Sequence, residues 1–135
     1  MNSTDNNQLE ELRAYNQAIE DSPEYQSILP EVMKEVYTIF VNERIEDLER
    51  TLDKEDIEAD NDVFSSLYKE LRKSTEEKLK EAKSLMPDNP ERAANVLEQL
   101  GCCHRLWSLQ KRILKEKYGI TWYTPAELNP DTKFD

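Results

Sequence analysis

The chain has 135 residues, of which 29 are acidic and 18 basic, and its net charge of −11 repels nucleic-acid phosphate and anionic lipid alike. Direct binding to either is therefore excluded as an expectation. The longest apolar run, Val36 to Val41, is far short of the roughly 20 residues that a membrane crossing needs. Mean hydropathy is low, at −0.88, but the hydrophobic residues fall at helical spacing, which argues for a folded domain rather than disorder. One domain over residues 1–135 is expected at this length.

The first residues, Met1 to Asn7, show neither a basic n-region nor an apolar core, so a cytoplasmic protein without a secretory signal is expected. Leu12, Tyr15 and Ile19 then form a thin stripe, which predicts a short N-terminal helix from Asp5 or Asn6 to Glu20. Ser22-Pro23-Glu24 reads as cap, first helical position and favourable first-turn acid of a short turn ending near Leu29. Leu29 precedes a proline and is expected outside helical geometry.

Pro30, Pro90 and Pro125 each stand where a hydrophobic period begins. Proline is tolerated at a first helical position, because its missing N–H would have no partner there. The second helix is predicted from Pro30 to Leu52 or Lys54. Its apolar arc is wide from Val32 to Phe40 and narrower from Val41 to Leu52, while Glu43, Glu46, Asp47 and Glu49 fill its polar face. Asp53 to Asp62 is read as a solvated acidic linker. It is not a calcium loop: counted from Asp53, Glu58 stands where glycine is needed and Phe64 where a bidentate glutamate is needed.

The third helix is predicted from Asp62 to Met86, with Val63, Phe64, Leu67, Leu71, Thr75, Leu79, Ala82 and Leu85 in one stripe and a Glu76–Lys80 pair on the outside. After the Pro87–Asn89 turn, a fourth helix is predicted to run unbroken from Pro90 to Tyr118. Ala93, Leu100, Trp107 and Leu114 recur along it every seven residues, and Gly119 closes it in the left-handed conformation. These elements predict an all-α fold: an antiparallel up-down bundle of three long helices, with a short N-terminal helix and a docked C-terminal tail over residues 120–135. In that tail Thr124-Pro125-Ala126-Glu127 is a capping box. Trp122, Tyr123, Leu128 and Phe134 are expected to fold back, with part of Trp122 or Tyr123 left available to a partner.

No catalytic, cofactor or metal site is predicted. His104 is the one histidine, and it fans away from Cys102 and Cys103 on a helix, whereas zinc needs converging ligands. The two cysteines are adjacent, diverge by about 100° on a helix and are expected as free thiols. A Cys–His pair at adjacent positions lacks nucleophile–base geometry, and two glycines in the whole chain leave no phosphate-cradling loop.

The expected function is a non-enzymatic cytoplasmic interaction protein that binds another protein or a second copy of itself. A slender bundle buries little apolar area per residue, which favours a homodimer. The expected contacts are Trp122, Tyr123 and Phe134. The alternative is an acidic decoy for the basic surface of a nucleic-acid-binding protein, because residues 1–62 carry 18 acids against 5 bases. Glu43, Glu46, Asp47, Glu49 and the 53–62 linker would carry that role.

Overall fold

Among the described residues there are six helices: α1 (Ser3–Asp21), α2 (Pro23–Glu55), α3 (Ser65–Leu85), α4 (Pro90–Val96), α5 (Cys102–Tyr118) and α6 (Pro125–Leu128). The computed structural model describes residues 3–55, 65–97 and 102–133, and among them there is no strand, so the all-α expectation holds. The described chain gathers into two compact units, Met1–Val36 with Gln99–Asp135, and Tyr37–Glu98.

In the first unit Ser22 separates α1 from α2. Its hydroxyl donates to the Ile19 carbonyl at 2.6 Å and accepts from the Tyr25 N–H at 3.2 Å, as an N-cap does. The expected break at Leu29 is absent, because α2 runs through Pro30. An interior proline costs about 3 kcal/mol through its missing donor and ring clash. Burial of Tyr25 before it and of Val32 and Val36 after it outweighs that local preference. The core of this unit also takes Cys102, Leu109, Ile113 and Leu114 from α5, and Trp122 from the tail. Inside it the Gln110 amide donates to the Tyr25 hydroxyl at 3.0 Å. Burial raises the Tyr25 phenol pKa, and the Glu20 charge adds to that, against the opposing Gln110 bond.

Among the described residues of the second unit, Phe40, Val41, Leu52, Leu79, Ala82, Pro90, Ala93, Ala94 and Leu97 are buried. Alanine at the α3–α4 contact lets the two backbones approach closely. Asn89 caps α4 by accepting from the Arg92 N–H at 3.3 Å, with Pro90 at the first turn. The predicted third-helix stripe is buried only toward its C-terminal end: Leu67 and Leu71 are 56% and 61% exposed, and Val63 and Phe64 lie outside the described residues. Glu76 pairs with Arg72 at 3.1 Å rather than with Lys80. The same guanidinium also donates to the Leu52 carbonyl at 3.0 Å, a bridge that the lysine ammonium's point charge does not reproduce.

The unbroken fourth helix is corrected. α4 stops at Val96, where the Leu97 N–H is shared between the Ala93 and Ala94 carbonyls, and the next helix opens at Cys102. Of the seven-residue series, Ala93 and Leu114 are buried and Trp107 is half-buried, while Leu100, like Gly101, lies outside the described residues; α5 also buries Leu109, Gln110 and Ile113. The end of α5 follows expectation. Gly119 turns the chain at φ +68°, and the Ile120 N–H closes on the Leu114 carbonyl at 3.0 Å. Of the expected linker, residues 53–55 are still helical, and residues 56–62 lie outside the described residues.

Candidate interaction groove

After Gly119 the chain from Ile120 to Thr124 belongs to no helix, and among the described residues there is no strand for its backbone to pair with. Such groups must find other partners when buried. Asn16, only 3% exposed, supplies them. Its Oδ1 accepts from the Tyr123 N–H at 2.8 Å, and its Nδ2 donates to the Tyr123 carbonyl at 3.1 Å. One side-chain amide therefore replaces one rung of a β ladder. Around it, the Tyr15 hydroxyl donates to the Thr121 carbonyl at 3.0 Å, and Arg13 Nε donates to the Leu128 carbonyl at 2.9 Å. The Trp122 indole N–H donates to Glu20 Oε1 at 3.1 Å, and that oxygen also accepts from Asn16 Nδ2 at 3.1 Å.

From the other side α5 holds the same segment. Lys115 Nζ donates to Thr121 Oγ1 at 3.2 Å, and Lys111 Nζ reaches both Glu127 oxygens at 2.7 and 2.8 Å while standing 5.2 Å from the centre of the Tyr123 ring. Glu127 closes the α6 capping box, accepting from the Thr124 N–H at 3.1 Å while Thr124 Oγ1 accepts from the Glu127 N–H at 3.2 Å. Burial by itself would raise the Glu127 carboxyl pKa. The hydrogen bonds from Lys111 and Thr124 and the Lys111 charge more than offset it and hold the group below its ordinary range.

These anchors leave an open groove of about 590 Å³ lined by Gln8, Glu11, Leu12, Tyr15, Thr121 and Tyr123. The first four residues recur at i, i+3, i+4 and i+7 and so share one face of α1, while Thr121 and Tyr123 line the groove from the segment after Gly119. Tyr15 and Tyr123 meet edge to face, with ring centres 6.1 Å apart and planes at 74°. Tyr15 remains 42% exposed. Glu11 is exposed, and among the described residues no donor or cation pairs with its carboxylate.

Of the contacts expected from sequence, Tyr123 lines this groove and is half-buried. Trp122 is 4% exposed with its N–H committed to Glu20, so it anchors the segment and is withdrawn from contact. Phe134 lies outside the described residues. Glu43, Glu46, Asp47 and Glu49 are all on the α2 portion in the second unit. Arg50 stands 3.5 Å from Glu46 and 3.3 Å from Asp47, and Lys83 stands 2.6 Å from Glu49. A second groove there, about 770 Å³, mixes Arg44 and Arg50 with Asp47, Asp53 and Thr51. That surface is mixed in sign rather than uniformly acidic.

Sequence reasoning did not select Glu11, Tyr15, Asn16 or Thr121 as site residues. The signal present was the β-favouring run Ile120-Thr121-Trp122-Tyr123-Thr124, a segment that asks for a backbone partner. Among the described residues no group of three or more His, Cys, Asp or Glu side chains is arranged to hold a metal, and no helix is long and apolar enough to cross a membrane. Compared with known proteins, the chain matches no family model, no curated protein and no solved structure.

Proposed function

We propose that this chain is a non-enzymatic, cytoplasmic interaction protein whose contact surface is the groove between α1 and the Thr121–Tyr123 segment. The antiparallel up-down packing expected of its long helices is part of the same proposal. The supporting observation is Tyr15: its hydroxyl is committed to the Thr121 carbonyl while 42% of the residue stays in solvent. A ring held in place in this way offers apolar area to a partner with little further loss of side-chain freedom. The acidic-decoy reading is less well supported, because Glu46, Asp47 and Glu49 already stand beside Arg50 and Lys83.

A photo-reactive benzoylphenylalanine at Gln8, introduced in the cells that make the protein, tests the proposal against the same group at exposed Lys73 on α3. A discrete protein adduct from position 8 and none from position 73 is expected. Equal labelling from both, or none from position 8, would overturn it. Light scattering of the purified protein then shows whether the partner is a second copy.

A further inference from the structure

We infer that the groove is built for a positively charged side chain of the partner, an arginine above all, laid on the Tyr15 ring with its guanidinium against Glu11. This rests on the interaction reading above and adds the chemistry of the occupant. Charge complementarity carries it. α1 holds Asp5, Glu10, Glu11, Glu20 and Asp21 against Arg13 alone, and Arg13 Nε is committed to the Leu128 carbonyl. Glu20 is engaged by Trp122 and Asn16, and Asp21 by the Gln17 amide at 3.0 Å. Glu11 therefore brings an uncompensated carboxylate to the groove wall, one turn of helix from an exposed aromatic ring.

The other groove ring shows the same chemistry within the molecule: Lys111 stands over Tyr123, with its charge answered by Glu127. Lys115 does not line the groove; its ammonium is taken up by Thr121 Oγ1, to which it donates at 3.2 Å. Arginine fits better than lysine because its planar guanidinium can stack on Tyr15 and still donate two parallel bonds to the Glu11 carboxylate.

The test is an amide NMR titration of the full chain with N-acetyl-arginine amide, its neutral citrulline counterpart and N-acetyl-leucine amide. Saturable shifts confined to the Gln8–Tyr15 turns and to Thr121–Tyr123 are expected with arginine, with citrulline about threefold to fivefold weaker. Glu11→Gln should weaken arginine by a similar factor and leave the thermal midpoint unchanged, since the carboxylate supports nothing in the fold. Glu11→Lys should abolish the shifts. Arginine and leucine probes binding the groove equally, or arginine binding unaffected by Glu11→Gln, would overturn the cation while leaving the groove as an interaction surface. Silence from all three probes together with no adduct from position 8 would overturn both.

Discussion

Where α3 meets α4, the chain holds itself with side chains of almost no reach; where the tail meets α1, it does so largely through directed hydrogen bonds. Ala82, Ala93 and Ala94 are buried at the first junction, and a short turn joins its helices, so little loop entropy opposes the contact. The second junction joins residues more than 100 positions apart, through Asn16 to Tyr123, Tyr15 to Thr121 and Trp122 to Glu20. Apolar contact is tolerant of partner identity, whereas paired hydrogen bonds demand one register. The first junction makes a hairpin; the second places one backbone segment at a fixed height along α1 and so shapes a groove.

That contrast can be broken most severely at Trp122. Trp122→Ala removes a buried ring and should cost about 3–5 kcal/mol in chemical denaturation. If the two junctions respond independently, the α3–α4 amides should keep their native hydrogen-exchange pattern until global unfolding. Next in size, Ala93→Leu at a residue with 0% exposure should cost about 1–3 kcal/mol by overpacking and leave the Thr121–Tyr123 amides protected. Asn16→Ala should cost about 1–3 kcal/mol, because the Tyr123 N–H and carbonyl lose their partner together. Calorimetry measures both, and exchange shows which junction each has loosened.

The smallest expected effect is electrostatic. Glu127 has a lowered folded-state pKa, so its contribution is complete above the unfolded carboxylate range and is lost as pH falls through the folded value. Both members of the pair are more than a third exposed, which limits the Lys111–Glu127 contribution to about 0–1 kcal/mol. Lys111→Met should flatten that acid limb of the stability profile, and the tail amides should report it before the α3–α4 amides do.

Local chemistry made much of this legible from sequence. The Thr124–Glu127 capping box, the Asn89–Pro90 start and the Gly119 turn each depend on neighbours within a few residues, and each stands as read. Features decided at long range were not legible. Pro30 reads locally as a helix start, yet burial on both sides carries α2 through it. The seven-residue spacing across Leu97 to Gly101 reads as one helix, although α4 ends at Val96. Asn16 looks like an unremarkable polar residue on a thin amphipathic stripe. Its role exists only because Tyr123 arrives from the far end of the chain, and no local pattern encodes that meeting.

Amide hydrogen exchange at Tyr123 is the most direct test of the account. The side-chain rung from Asn16 predicts an N–H protected well above the unfolded rate in the native chain and released in Asn16→Ala. A Tyr123 N–H that exchanges at the unfolded rate while α5 amides stay protected would contradict it, because the segment would then form no wall of the groove.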